Sequence, residues 1–211
     1  MSKIQEISTA IVSGKVKLIE GLVQEALDSG EKPIEILDEG MIAAMSDIGA
    51  KFQANEVFVP EMLIAAKTMK KGVEVLRPHL ASGSLGRLGK YIIGTVAGDL
   101  HDIGKNLVAL MIESAGFEVI DLGVDVPAEK FVEALNANPD CKIVGASALL
   151  TTTMEAMKDT VEAIHNGGYK GKVKIMVGGA PITQEFADQI GADAYTPDAG
   201  SAASKAVELV S

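Results

Sequence analysis

Tryptophan is absent from the 211 residues, and three tyrosines and five phenylalanines bring the aromatic share to only 4%. Ligand recognition by stacking on an aromatic platform is therefore disfavoured. Cysteine occurs once, at Cys141, which excludes an intramolecular disulfide. With three histidines beside it, few soft or borderline ligands exist for a metal. No run is long and apolar enough to span a bilayer, and the opening MSKIQEISTA lacks the apolar core of a signal peptide. The expectation is a soluble, cytoplasmic protein. Basic residues are in the minority, 19 against 29 acidic, for a net charge of −10 and no basic cluster. Nucleic acid and anionic membrane are disfavoured as partners.

What is abundant is aliphatic or small: 47% of the chain is apolar, with 22 glycines and nine methionines. That suffices for the core of one large domain or two small ones, and argues against disorder. From residue 2 to about 80 apolar residues recur at helical spacing, as in Ile34, Leu37, Ile42, Met45 and Ile48. Pro33 and Pro60 stand where first helical turns begin, and Gly30 and Pro78 where helices end. The spacing predicts helices over 2–12, 15–28, 33–50 and 60–77. The stretch PHLASGSLGRLGK, from Pro78 to Lys90, has the composition of a linker. Beyond it, short apolar runs such as YIIGTVA, KIVGASALL and KVKIMVGG alternate with amphipathic stretches. This is a βαβαβαβαβα pattern, which implies an α/β fold with a doubly wound, five-stranded parallel sheet.

In such a sheet ligands bind beyond the carboxyl ends of the strands. The loop after the first strand reads GDLHDIGKN, with no GxGxxG and no P-loop. His101 in this loop either binds a metal, with Asp99 holding its other ring nitrogen, or caps a helix locally. The loop after the third strand carries Ser147, Leu149 and Thr151–Thr153. This run either lines a narrow polar slot or forms a helix N-cap. Gly178 and Gly179 after the fourth strand either admit a ligand to the backbone or make an ordinary turn.

Taken together, DxHxxG at Asp99, His101 and Gly104, SxL at Ser147 and Leu149, and GG at Gly178 and Gly179 resemble the cobalamin-binding domain in order and spacing. The segment DIGAKFQANEVFVPEMLIAAKTMK resembles the helical cap that precedes that domain in cobalamin-dependent methionine synthase and in the small corrinoid proteins of methanogens and acetogens. Nearly end to end, the chain looks like a methyltransferase cognate corrinoid protein. The resemblance implies a four-helix cap over 1–80, a linker over 81–90 and a flavodoxin-like, Rossmann-like cobalamin-binding domain over 91–211. It implies a base-off cobalamin whose lower axial ligand is His101, with Asp99 on the far imidazole nitrogen and Thr153, where the family has serine, extending the relay. Ser147, Leu149, Thr151, Gly178 and Gly179 would form the slot for the nucleotide tail, and Gly104 would let the loop pass close to the corrin. Phe52 and Val59 would shield the methyl group.

The implied activity is methyl carriage, the cofactor alternating between methylcob(III)alamin and cob(I)alamin. The implied partners are a substrate:corrinoid methyltransferase, a corrinoid:tetrahydrofolate or corrinoid:thiol methyltransferase, and a reductive activase. The cap would swing at a hinge in 81–86. The cobalamin-binding subunit of an adenosylcobalamin-dependent mutase is the alternative; it would share the loop motifs without needing the cap. A cobalamin-sensing regulator would need a DNA-binding module, and a phosphoacceptor domain would need an aspartate where Ser147 stands. His79 and His165 fit cap or surface roles.

Overall fold

The strands form because their sequences are continuous aliphatic runs suited to burial on both faces, and the helices because apolar residues follow a 3.6-residue period. A computed structural model describes residues 2–80, 86 and 88–211. The chain divides into two units, one drawn from Met1–Arg87 with Ser114–Gly116, the other from Leu88–Glu113 and Phe117–Ser211. Most of the expected hinge at 81–86 lies outside the described residues.

The first unit is helical. Helix α1 (Lys3–Val12) is opened by a reciprocal cap, in which the Ser2 hydroxyl accepts from the Gln5 N–H and the Gln5 side chain accepts from the Ser2 N–H, both at 3.2 Å. Helix α2 (Ile19–Asp28) starts four residues later than its expected beginning at 15. The third predicted helix is interrupted: α3 (Pro33–Glu35) passes through a wide, π-type stretch, Ile36–Ile42, into α4 (Ala43–Gln53). Within that stretch Gly40 lies against α1, where an added Cβ would stand 3.4 Å from Ile7 and 3.5 Å from Ile4. Helix α5 (Val59–Leu76) is closed at its start by the Glu61 carboxylate, which accepts from the Phe58 N–H at 2.7 Å. Ile7, Ile11, Val23, Met41, Met45, Ile48 and Met62 are buried between these helices.

The second unit carries a five-stranded, all-parallel sheet in the order β2-β1-β3-β4-β5, the flavodoxin-like order. Its strands are β1 (Lys90–Thr95), β2 (Glu118–Asp121), β3 (Cys141–Ser147), β4 (Lys174–Gly178) and β5 (Ala194–Tyr195). They alternate with α6 (Ile103–Ser114), α7 (Ala128–Ala137), α8 (Met154–Ile164), α9 (Gln184–Ile190) and α10 (Ala199–Val210). On one face Ile92, Val144, Ile175 and Val177 join Phe131 and Leu135 of α7 and Met157, Val161 and Ile164 of α8 in one apolar cluster. The right-handed crossover from β1 to β2 puts α6 on the other face.

That second face is built around Tyr91. Its ring meets Phe117 edge to face at 6.0 Å, and its hydroxyl lies 3.8 Å from the Met176 sulfur. Burial pushes its phenol well above the ordinary range. Burial likewise pushes up the thiol of Cys141, which donates to the Ile143 carbonyl at 3.2 Å. No helix among the described residues is long and apolar enough to cross a membrane.

Chain direction diverges between β1 and β3: β1 leads through α6 to β2 on one side, β3 through α8 to β4 on the other. The loops leaving these two strands therefore border the crevice at the switch point.

Gly145 lies under Tyr91, so an added Cβ would come within 2.6 Å of the hydroxyl oxygen and 2.7 Å of Cε1. Gly145→Ala is expected to lower stability by about 1–3 kcal/mol through overpacking. Urea unfolding followed by circular dichroism tests this, and a midpoint equal to wild type would refute the packing argument.

Candidate functional site

The loop after β1 turns because Asp99 bonds its own backbone two residues on: Asp99 Oδ1 accepts the His101 N–H at 3.1 Å, an Asx turn. The same oxygen lies 2.7 Å from Nδ1 of the His101 ring. The other oxygen, Oδ2, reaches into the loop after β3, accepting from the Leu149 N–H at 2.7 Å, the Leu150 N–H at 3.3 Å and the Thr153 hydroxyl at 2.9 Å. Five donors thus converge on one carboxylate with no accessible surface. Burial pushes its pKa up, but the bonds from Leu149, His101 and Thr153 outweigh it and hold the carboxyl well below the ordinary range.

An ionised carboxylate only accepts, so Nδ1 of His101 carries the hydrogen and a singly protonated ring presents its lone pair at Nε2. The His101 side chain is 49% exposed on a backbone fixed at both ends, its carbonyl accepting from the buried Thr95 hydroxyl at 2.8 Å. The arrangement offers one outward nitrogen donor of defined tautomer. Among the described residues no group of three His, Cys, Asp or Glu side chains converges to hold a metal by itself. His101 can therefore complete a coordination sphere supplied by something else.

The threonine run resolves into a single turn of 3-10 helix, Thr151–Thr153, ahead of α8. Thr153 occupies the N-cap position of α8 without capping it; its buried hydroxyl faces Asp99 instead, and also stands 2.9 Å from the Leu150 carbonyl. Thr151 and Leu149 are exposed, Leu149 by 42%. Ser147 ends β3 in register with Thr95 on one side and Gly178 on the other, so these three residues span the carboxyl edge of the central strands. Gly104, in the first turn of α6, has nothing within 4 Å of an added Cβ.

Gly179 carries a packing constraint of its own. Its φ is +130°, and an added Cβ would stand 1.8 Å from the Ala148 carbonyl oxygen. The space is filled by the backbone leaving β3, so this glycine serves the crossing of two loops.

Several residues with a claim on the site escape the motif reading. Leu100 and Ile103, flanking His101, are 73% and 81% exposed, and Leu150 beside Leu149 is 41% exposed. Apolar side chains in the middle of GDLHDIG are the sequence signal that marks them. In the helical unit Phe52 is half-buried in the last turn of α4 and Val59 opens α5 at 38% exposure, while the exposed aromatic is Phe58, at 64%.

Comparison with known proteins matches residues 89–207 to the B12 binding domain, and residues 3–77 to a second family model with the same description. The chain is 44% identical over 209 residues to dimethylamine corrinoid protein 2 of Methanosarcina acetivorans, covering 98% of this chain and 95% of that one. It is 42% identical over 199 residues to trimethylamine corrinoid protein 1 of Methanosarcina mazei, covering 93% and 91%. Among solved structures, the methanol:cobalamin methyltransferase complex of Methanosarcina barkeri aligns with a TM-score of 0.87 at 28% identity, over 99% of this chain and 79% of that one. A cobalamin-binding protein of Desulfitobacterium hafniense aligns at 0.83, also 28% identical, over 99% and 98%.

Because both oxygens of Asp99 accept backbone N–H groups, Asp99→Asn must set its amide against a donor in either orientation. One buried donor left unpaired costs roughly 1–3 kcal/mol, and loss of the charge adds to it. A destabilisation of at least about 2 kcal/mol in urea is expected on that basis. Nitrogen NMR of the imidazole should at the same time record both tautomers in place of Nδ1–H alone. An unshifted midpoint with an unchanged tautomer would contradict the geometry.

Proposed function

The chain belongs to the methyltransferase cognate corrinoid proteins, which bind cobalamin and carry methyl groups, and on that premise we propose that it holds a base-off cobalamin through His101 and exchanges the methyl group with partner methyltransferases. The observation that carries this reading is the single outward nitrogen of His101, oriented by a buried carboxylate and set among exposed apolar side chains. These residues fit the group. A corrin supplies the remaining in-plane nitrogens, so one protein donor is enough, and Leu100, Ile103, Leu149 and Leu150 offer apolar surface to a large, flat ring. When bound, cobalamin supplies a cobalt centre that accepts a methyl group and yields it to a nucleophile.

The chain's own part is to orient and to manage a proton. Asp99 keeps Nδ1 a donor, so Nε2 is the atom offered to the metal. A proton held at Nε2 in place of the metal would leave a charge on the ring 2.7 Å from a carboxylate that is already ionised. Thr153 holds the far oxygen of that carboxylate, which keeps Asp99 from following the ring as it moves. Ser147, Leu149, Thr151 and Gly178 are assigned to the nucleotide tail and Gly104 to the ring edge. Gly179 is assigned to the tail slot as well, and it also lets the β3 and β4 exits cross. Shielding of the carried methyl group is assigned to Phe52 and Val59, with 1–80 as the cap, 81–90 as the linker and 91–211 as the cofactor domain.

The relatives named for dimethylamine and trimethylamine support a methylated amine as the methyl source. The methyltransferase complex among the similar structures supports a substrate-specific methyltransferase as the loading partner. A second methyltransferase, acting on a thiol or on tetrahydrofolate, and a reductive activase complete the cycle, which we place in the cytoplasm.

The test uses protein labelled with 15N-histidine, reconstituted with hydroxocobalamin and reduced to cobalt(II). The paramagnetic spectrum of wild type is expected to carry the splitting of the label, and that of His101→Ala to lose it. A label without effect in wild type would overturn the axial-ligand assignment. Reduced further to cobalt(I), the carrier should accept a methyl group from dimethylamine in the presence of a dimethylamine methyltransferase, with methylamine released. Preference for adenosylcobalamin with radical chemistry would favour the mutase reading instead.

A further inference from the structure

The His101 loop is gripped from a side that the motifs do not name. The connection from β2 to α7 runs along it: Thr95 donates its N–H to the Gly123 carbonyl at 3.0 Å and accepts the Val126 N–H at its own carbonyl at 2.9 Å. Between these two contacts stands Asp125, an exposed residue with a left-handed φ of +52°. Such a backbone costs a non-glycine residue free energy, and aspartate is among the few types that adopt it readily.

In this conformation Asp125 meets the His101 loop twice. Its carboxylate Oδ1 accepts the Gly98 N–H at 2.7 Å, and its own N–H donates to the Asp99 carbonyl at 2.9 Å. The two contacts close on Gly98 and on Asp99, the residue whose side chain orients the imidazole. We propose that Asp125 is a positioning residue for the axial histidine, a clamp that fixes the Gly98–Asp99 backbone and through it the direction of Nε2. The inference rests on the reading of His101 as the cobalt ligand.

A second tie grips the other end of the loop. The buried ammonium of Lys105 in α6 donates to Asp121 at the end of β2 and to the Asn106 side chain, and Asn106 donates to Asp102 at 3.1 Å. Asp121 in turn accepts the Gly123 N–H at 2.8 Å, in the connection that holds Asp125. The β2–α7 connection therefore bounds the His101 loop at both ends, and Asp125 is its residue that bonds Gly98 and Asp99.

Two substitutions separate side chain from backbone. Asp125→Gly keeps the left-handed turn and deletes the acceptor; Asp125→Asn keeps both, since asparagine tolerates this φ and its Oδ1 accepts. Each full-length variant is labelled with 15N-histidine, loaded with cobalamin and reduced to cobalt(II). The histidine splitting is expected intact in wild type and Asp125→Asn and lost from part of the spins in Asp125→Gly. Cobalamin affinity should weaken about 10-fold in the glycine variant, the usual scale for removing support from a metal ligand. A glycine variant with wild-type splitting and affinity would overturn the clamp. A wild-type spectrum without splitting would instead overturn the axial-ligand reading. Amide exchange at Gly98 in cofactor-free wild-type protein tests the clamp independently of both that reading and the folding of the variants. Protection at Gly98 supports it, and free exchange overturns it.

Discussion

The second unit turns on one buried charge. Asp99 has no accessible surface, and an ionised carboxylate in that position is tolerable only while its hydrogen bonds replace the water it has lost. Those bonds come from two loops that are about 50 residues apart in sequence. The carboxylate is thus the joint between the β1 and β3 exits, and the direction of the His101 ring follows from a bond that stability demands in any case. The tautomer of the ring is settled by an acceptor that cannot be anything else.

The sheet explains why these loops meet. In the order β2-β1-β3-β4-β5 the two central strands send their connections in opposite directions and leave a crevice between the exits. Register then places Thr95, Ser147 and Gly178 side by side along its floor. Thr95 serves both levels: its backbone holds the β2–α7 connection and its hydroxyl holds the His101 carbonyl. Toward the amino ends of these strands, Tyr91 packs against Phe117 and over Gly145.

Much of this was legible in the sequence. Buried parallel strands read as uninterrupted aliphatic runs, and the DxHxxG, SxL and GG motifs mark three loops that the structure does bring to one edge. Resemblance linked Asp99, His101 and Thr153, and their side chains are in contact. The unread parts depend on contacts between distant segments. The widened turn at Ile36–Ile42 goes with the approach of α1 to Gly40, and helical periodicity does not register it. The contact of Gly179 with the Ala148 carbonyl is likewise invisible in sequence, since it joins two loops about 30 residues apart. Asp125 has no motif at all, since a left-handed aspartate is a property of the backbone. Leu100 and Ile103 carry no motif, and their exposure follows from the path of the loop, which the sequence does not show.

The tie between Asp99, the β3 exit and Asp125 also bears on how such a site can be inherited or moved. A loop that satisfied its own polar groups could be exchanged alone, as hairpin turns and antibody loops are. Here the 98–106 segment carries a charge whose partners belong to 149–153 and a backbone whose clamp belongs to 123–126. Transplanted singly into another sheet of the same strand order, it would arrive with an unsolvated carboxylate and collapse or reorient. The unit of modularity is the set of three loops, and substitutions within it must drift together.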